Sequence, residues 1–471
     1  MMKCLCVKMG KSLANFINIC MTTPETFMEP PAGQLRRLKP EAYVGLLLFV
    51  CALLLYGLRL NQPPRYIYDE SYHAYTAGEL VKGNRKAYLP GEAREGFRAA
   101  NGQRVYTTWT HPPLSRDLMQ IGIHVFGDNS IGWRVLSAFF GALGIVVVFC
   151  IGREFFSYQV GVFAAVLLLF DGLWFVQSRT AMLDIFLACF LLLAYFCFGK
   201  YLLRSDQYRW KFLWLAGAAL GLALATKWSA IYSLFFLGVW AFVREVKFTR
   251  GEKSLRGLWV FLGVFALLPP LEYLMAHAQF FAMGYSLSDW LNLQSDMWHY
   301  HTTLQAHHNW ASPWWSWPLL LKPVWYHVGV TPTEIQHVFA LGNPAIWWMF
   351  FPALGYFVWR WKAQNFNMIC GLVLLGFLGN WLPWALSPRI AFLYHFLPSV
   401  PFGCLMIAVG FQQLSSTRRQ FICWSYFAIV LLSFQYFYPH FAAVLISREY
   451  SQQHFWLRGW KPVFNDPFER R

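Results

Sequence analysis

Long apolar runs recur along the whole chain, and most could cross the roughly 30 Å hydrocarbon core of a bilayer as a helix. Apolar residues make up 57% of the 471 residues and charged residues only 13%. This balance favours a multi-span membrane protein over a soluble enzyme with one core. The sequence therefore predicts an all-α integral membrane protein with about eleven transmembrane helices. The predicted spans lie near 42–60, 131–151, 159–176, 183–203, 212–226, 228–243, 257–276, 344–359, 366–386, 390–411 and 420–441.

Lysine and arginine residues lie before the first predicted span and after every even-numbered one. Such residues accumulate in the cytoplasmic segments of membrane proteins. The pattern predicts a cytoplasmic N-terminal arm at 1–41, a membrane domain at 42–441 and an outer C-terminal tail at 442–471. The same rule explains most of the formal net charge of +16. That charge is therefore weak evidence for nucleic acid, and membrane lipids are the expected surroundings.

Two segments on the predicted outer side, 61–130 and 277–343, are long enough to hold a functional site. Neither contains a cysteine, so no disulfide framework is expected there. In the first segment the pattern predicts a helix over Glu70–Val81, followed by a Gly-, Pro- and Arg-rich turn region at 82–103. The second is rich in Trp and His, and amphipathic interfacial helices are predicted near 288–300 and 314–326.

Charged residues at the outer ends of several spans break the orientation rule, because short outer turns should contain few cations. One interpretation is that each long cation extends separately to the interface. The other is that the charged groups converge on one site from several helices. The members of this set are Asp69, Glu70, His111, Arg134, Arg179, Asp184, Lys227 and Arg389.

Carboxylates and cations together at an interface suit the transfer of a group from a lipid phosphate. A phosphate leaving group needs positive charge near its oxygens rather than a second acid. The acceptor hydroxyl does need a base, and a single displacement would invert the anomeric carbon of a sugar donor. We expect Asp69 to be this base and Glu70 to orient it, because adjacent residues cannot easily face one substrate from opposite sides.

Histidines leave a metal site as an open alternative. On a helix starting at Glu70, the His73 side chain would share a face with Asp69 and Glu70, and His111 could complete a divalent metal site. The set His299, His301, His307 and His308 permits the same interpretation, or hydrogen bonding to lipid headgroups and substrate. No cofactor is firmly predicted.

The chain also carries an ordered series of motifs. They are Tyr68-Asp69-Glu70 with His73 and Tyr75, Thr110-His111-Pro112-Pro113-Leu114, Gly132-Trp133-Arg134, Gln177-Ser178-Arg179 with Leu183-Asp184, Thr226-Lys227-Trp228-Ser229, Trp315-Ser316-Trp317-Pro318-Leu319, and Arg389-Ile390-Ala391-Phe392-Leu393-Tyr394-His395. This series resembles the protein O-mannosyltransferases, members of the C-type superfamily of lipid-phosphate-dependent glycosyltransferases.

The resemblance implies a polyprenyl-phosphate mannose donor, Asp69 as catalytic residue, and donor or acceptor binding by Glu70, Arg134, Arg179, Lys227 and Arg389. We count His73, His111, Asp184, Trp317 and His395, which lie in the same motifs, as further candidate substrate-binding residues.

Two departures from the family pattern refine the expectation. The segment 277–343 is too short for the β-trefoil insertion of eukaryotic members, so the chain resembles the bacterial type. Ser115 and Arg116 stand where the family often has a small residue and Lys, which keeps the charge but changes its geometry.

The expected function is inverting transfer of mannose to Ser or Thr hydroxyls of exported proteins, in a bacterial plasma membrane. A relative that modifies a lipid or glycan acceptor is the nearest alternative. A transporter of lipid-linked sugars is a third, although no repeat symmetry is visible in the sequence.

Overall fold

The apolar runs predicted from the sequence fold into helices. The computed structural model describes residues 40–89, 97–98, 104–248, 258–304, 306–414 and 416–461. The predicted arm at 1–41 therefore lies almost wholly outside the described residues, as does much of the turn region at 82–103. Helices in the first half are α1 Pro40–Gly57, α2 Glu70–Val81, α3 Leu114–Phe126, α4 Ser130–Phe155, α5 Tyr158–Leu169, α6 Gly172–Gln177, α7 Asp184–Leu203, α8 Arg209–Thr226 and α9 Ile231–Phe248. Those in the second half are α10 Leu258–Ala276, α11 Ala278–Ala282, α12 Leu287–Thr303, α13 Pro344–Trp347, α14 Phe350–Ala363, α15 Met368–Leu378, α16 Val400–Gln412, α17 Ser416–Phe441 and α18 Arg448–Gln452.

Seven helical stretches of the described residues are long and apolar enough to cross a membrane. The other predicted spans are also helical, but they are shorter, interrupted or less apolar. The span predicted at 159–176 is divided between α5 and α6, and that at 344–359 between α13 and α14. The prediction of helical spans is confirmed, whereas the count of about eleven stays a prediction.

The interruption between α5 and α6 is stabilised by the buried carboxylate of Asp171. Its Oδ1 accepts a hydrogen bond from Trp174 N at 2.9 Å and caps α6. Its Oδ2 accepts from Asn343 N at 3.1 Å and from Trp347 Nε1 at 2.7 Å. One carboxylate therefore joins two interrupted helices that lie far apart in the sequence, and it satisfies donors that burial would otherwise leave unpaired.

Two small sheets among the described residues were not predicted. Strands Phe97–Arg98 (β1) and Arg104–Val105 (β2) form a short ladder, while Val324–Val330 (β3), Glu334–Ala340 (β4) and Leu445–Ser447 (β5) form a three-stranded antiparallel sheet. The strictly all-α expectation is therefore wrong for these residues. The helix predicted near 314–326 is also wrong, because only Trp314–Ser316 forms a 3₁₀ turn before β3. The helix predicted near 288–300 is confirmed as α12.

The C-terminal tail packs onto the segment that contains β3 and β4. Strand β5 pairs with β4, and the buried Trp460 donates from Nε1 to the carbonyl of Leu320 at 2.5 Å. A Cβ on Gly459 would lie 2.1 Å from the carbonyl oxygen of Leu321, so only glycine permits this approach. The tail and the segment 312–343 therefore form one packed unit and belong on one side of the membrane.

We expect this unit to face outward and the loop after α7 to face the cytoplasm, as the distribution of basic residues indicates. Thr333 lies exposed in the turn between β3 and β4, and Gln207 lies exposed between α7 and α8. In a cysteine-free background, Thr333→Cys should react with an impermeant thiol reagent on intact cells, and Gln207→Cys only after the membrane is opened. The reverse labelling pattern would show that the protein has the opposite orientation in the membrane.

Candidate active site

A strained turn between α1 and α2 directs neighbouring carboxylates in different directions. Tyr68 has a φ of 46°, a left-handed conformation that is costly for a bulky residue. Its ring stacks on Tyr326 with centroids 4.6 Å apart. Asp69 follows at the N-terminus of α2, where its carbonyl accepts from His73 N at 2.8 Å. The Asp69 side chain lines a cavity, whereas the neighbouring Glu70 is fully buried.

Glu70 forms a two-pronged ion pair with Arg134, and both side chains are 0% exposed. Arg134 Nε and Nη2 each lie 2.7 Å from a Glu70 oxygen. The same carboxylate accepts from Ile67 N at 3.0 Å and from Ala181 N at 2.9 Å. Glu70 therefore ties the turn that carries Asp69 to α4 and to the segment before α7.

Every N–H donor of the Arg134 guanidinium is used, either in the ion pair with Glu70 or in hydrogen bonds to backbone carbonyls. The hydrogen bonds not made to Glu70 go to the carbonyls of Leu60, Pro63 and Arg65 at 3.0 to 3.1 Å. A guanidinium has five N–H donors, so none is left for a substrate. Arg134 does not line the cavity, which differs from the expected contact with donor phosphate.

Two more candidate residues lie behind the cavity wall rather than in it. Arg179 donates to the carbonyl of Arg59 at 2.8 Å, and its guanidinium lies over the Phe175 ring at 4.8 Å. Trp317 donates from Nε1 to Ser312, and its ring lies 6.0 Å from that of His395. Both contacts stabilise packing around the site.

The remaining candidates meet in one cavity of about 750 Å³. It is bounded by the turn before α2, the segment before α3, the starts of α7 and α9, the end of α12 and the segment before α16. This arrangement confirms that distant parts of the sequence converge in one place. The candidate residues that line it are Asp69, His73, His111, Asp184, Lys227, Arg389 and His395.

The Asp69 carboxyl group has the properties of a general base. Burial raises its pKa to about 7, an effect that Lys227 and Arg389 oppose and Asp184 reinforces. Among the described residues, none donates a hydrogen bond to its carboxylate oxygens. A pKa near neutrality suits proton transfer at neutral pH.

The cavity cations differ in how they are held. Lys227 lies in extended backbone between α8 and a 3₁₀ turn at Trp228–Ala230, and its Nζ lies 2.8 Å from Asp184 Oδ1. Arg389 instead faces a histidine, because its Nη1 contacts His301 Nδ1. Lys227 is therefore neutralised by an ion pair, whereas no carboxylate of the described residues pairs with Arg389.

Histidines in the cavity wall are neutral. Burial lowers the pKa of His73 to about 3, with a further contribution from Arg116. Burial and then the neighbouring His301 hold the pKa of His111 well below its usual range. Within the described part of the chain, no group of three or more His, Cys, Asp or Glu side chains is arranged to bind a metal. The metal site considered with Glu70 as a ligand is not formed, because the Glu70 carboxylate faces Arg134.

Two positions that shape this cavity were not among the candidate site residues predicted from the sequence. The fully buried Arg116 donates to the carbonyls of Thr108 and His111, and so fixes the wall between them. The Arg116 guanidinium does not line the cavity. His301 donates or accepts at both ring nitrogens and joins α12 to the site. The His-rich sequence near 299–308 was noticed, but nothing local distinguished His301 from its neighbours.

Comparisons with known proteins identify the family of this chain. The family described as dolichyl-phosphate-mannose-protein mannosyltransferase matches residues 109–286. The C-terminal four TMM region of protein-O-mannosyltransferase matches residues 286–462. This chain belongs to the protein O-mannosyltransferase family. The resemblance inferred from the motifs is therefore confirmed.

Bacterial relatives within this family match nearly the whole chain. The polyprenol-phosphate-mannose–protein mannosyltransferase of Mycolicibacterium smegmatis is 28% identical, over 94% of this chain and 97% of that protein. The protein of the same name from Corynebacterium glutamicum is 26% identical, over 84% of this chain and 88% of that one.

Solved structures share the fold at low sequence identity. The S. cerevisiae protein O-mannosyltransferase Pmt1-Pmt2 complex bound to the sugar donor matches with a TM-score of 0.75 at 15% identity, covering 93% of this chain and 95% of that one. ArnT from Cupriavidus metallidurans bound to undecaprenyl phosphate matches with a TM-score of 0.57 at 19% identity, covering 84% of this chain and 64% of that one.

Removing Glu70 should destabilise this mannosyltransferase strongly, because Arg134 would stay buried without its partner. We expect Glu70→Ala to lower the free energy of unfolding by about 3–5 kcal/mol. Lys82→Ala is the control, since Lys82 is 56% exposed in its ion pair with Asp128, and it should cost less than about 1 kcal/mol. Thermal unfolding in detergent measures both. Equal stability of the two variants would show that the buried pair does not hold the turn.

Proposed function

We propose that the protein transfers mannose from a polyprenyl-phosphate carrier to Ser or Thr hydroxyls of exported proteins, with inversion at the anomeric carbon. The observation that carries this proposal is the shared cavity, where the unpaired Asp69 carboxylate and the cation of Arg389 lie together. The bacterial relatives are named for polyprenol-phosphate mannose as donor and for protein as acceptor.

The proposed reaction is one displacement at C1 of mannose. The acceptor oxygen forms a bond to C1 while the bond from C1 to the phosphate oxygen breaks. The electron pair of that bond leaves with polyprenyl phosphate, and the hydroxyl proton passes to the Asp69 carboxylate. No acid has to protonate the leaving group, because positive charge stabilises the phosphate as it leaves.

Arg389 and Lys227 are the proposed partners of the donor phosphate. Both line the cavity, and both lie near enough to Asp69 for their charges to lower its pKa. Arg389 carries the larger share in this proposal, because Asp184 already neutralises Lys227. Arg134 and Arg179 have supporting roles, since neither reaches the cavity.

The neutral histidines and the aromatic side chains are proposed to bind the uncharged parts of the substrates. His73 and His111 each have a ring nitrogen without a partner among the described residues. Tyr72, Trp109 and Tyr300 line the same space and present flat, partly polar surfaces. Sugar and peptide hydroxyls suit such a lining.

The proposed location is a bacterial plasma membrane, with the cavity and the C-terminal tail outside. Outer segments, the turn at Lys227 and the loop at Arg389 all contribute to one cavity, so they share one compartment. The basic residues at the opposite ends of the helices then lie in the cytoplasm.

Asp69→Asn tests the proposed base without a change of size. Purified protein in detergent, given radiolabelled polyprenyl-phosphate mannose and a Ser/Thr-rich peptide, should label the peptide, and the variant should be slower by on the order of a hundredfold or more. Asp117→Asn is a matched control, because Asp117 lies in α3, outside the cavity lining. Label found only in lipid or glycan would favour the alternative acceptors, and normal turnover by the Asp69→Asn variant would exclude Asp69 as base.

The transfer rate should also depend on pH through Asp69. A base must be deprotonated, so activity falls as pH drops through the pKa of about 7. We expect kcat/KM to fall by about tenfold per pH unit below that value and to level off above it. The histidine pKa values near 3 and 4 lie too low to produce this change.

Asp117 provides the necessary control for the pH profile, since burial raises its pKa to about 7 as well. Asp117→Asn should keep the wild-type profile. A flat profile in this variant would assign the pH dependence to Asp117 instead of Asp69.

A further inference from the structure

His301 connects three segments that are remote in the sequence. It lies near the end of α12, and its Nε2 is 2.7 Å from the carbonyl oxygen of Thr110. Its Nδ1 contacts Nη1 of Arg389, and its ring lies 5.5 Å from that of Trp228. The imidazole therefore spans the distance between the segment before α3 and the loop that carries Arg389.

The partners of His301 determine its protonation. A carbonyl oxygen only accepts, so Nε2 must carry the hydrogen; a guanidinium only donates, so Nδ1 must offer a lone pair. The ring is therefore neutral. Burial and the charge of Arg389 lower the pKa of His301 to about 4, which keeps it neutral at physiological pH.

A neutral partner distinguishes Arg389 from Lys227, the other Lys or Arg side chain that lines the cavity among the described residues. Glu70 neutralises Arg134 and Asp184 neutralises Lys227. Among the described residues, no carboxylate lies within ion-pair distance of Arg389. A carboxylate at this position would hold the guanidinium firmly but would cancel the charge that an incoming anion needs.

We propose that His301 is a positioning residue for the donor: it fixes the Arg389 guanidinium as a neutral acceptor, so that Arg389 keeps its full charge for the phosphate. This inference rests on the proposed function, because the phosphate of the lipid carrier is the anion concerned. It assigns to α12 an indirect part in donor binding, through the contact of His301 with Arg389.

Asn and Asp have the same size, so placing each at position 301 separates the positioning of Arg389 from the charge of its partner. An Asn side chain places an amide oxygen near the position of Nδ1, and Asp places a charged oxygen there. Relative to wild type, His301→Ala and His301→Asp should each raise the donor KM by about tenfold or more, whereas His301→Asn should restore it to within about threefold. The acceptor KM should change little in all three. Steady-state assays with both substrates varied give these constants.

Each of three outcomes with these variants would overturn the proposal. Equal donor KM values for the Asn and Asp variants would show that the neutrality of the partner is irrelevant. A donor KM for the Asn variant as poor as that for Ala would show that the contact does not position Arg389. In an Arg389→Ala background the three substitutions should have no further effect on the donor KM, and a persisting effect would mean that His301 acts through Thr110.

Titration with unglycosylated polyprenyl phosphate keeps this test separate from the proposed function. The same order of affinities is expected, with wild type and Asn above Ala and Asp. If no mannose is transferred but this order holds, the transfer proposal fails and the role of His301 stands. If transfer occurs and all variants bind alike, the role of His301 fails and the transfer proposal stands.

Discussion

The buried ion pair between Glu70 and Arg134 is the contact on which the arrangement of this site depends. Two charges without solvent exposure are stable only when their hydrogen bonds are complete, and here every guanidinium donor is used. Because Glu70 also accepts from Ile67 N and Ala181 N, the pair fixes the turn before α2. That turn leaves the adjacent Asp69 facing the cavity. Adjacent carboxylates thus have different surroundings: Glu70 is buried in an ion pair, and Asp69, the proposed base, lines the cavity.

The net charge at each cation around the cavity depends on the side chain that pairs with it. A carboxylate accompanies Arg134 and another accompanies Lys227, whereas an imidazole accompanies Arg389. Of the two Lys and Arg side chains that line the cavity among the described residues, only Arg389 lacks a neutralising carboxylate, and a lipid phosphate would need positive charge there. The pKa of Asp69 is raised because burial outweighs the opposing effect of Lys227 and Arg389. Family membership gives the reaction class, and these pairings indicate how this chain could perform it.

Much of the architecture was predictable because it depends on local properties of the sequence. The length of each apolar run predicted a helical segment, and α2 begins and ends where the pattern placed it, at Glu70 and Val81. The sheet was missed for a local reason too. Val324–Val330 alternates only weakly and follows a Trp-rich stretch, so the aromatic residues suggested an interfacial helix. Its pairing with Glu334–Ala340 and with the tail strand Leu445–Ser447 is non-local.

The sequence by itself determined the membrane class, the family and a set of candidate residues, seven of which line the cavity. Composition, run length and ordered motifs are enough for these, because each is a property of consecutive residues. Only the tertiary structure decided which members of the set reach the cavity. Arg134 and Arg179 carry the same charge as Arg389, yet their buried partners, Glu70 and the Arg59 carbonyl, hold them behind the wall. The role of a cation depends on the group that satisfies it, and that group lies elsewhere in the chain.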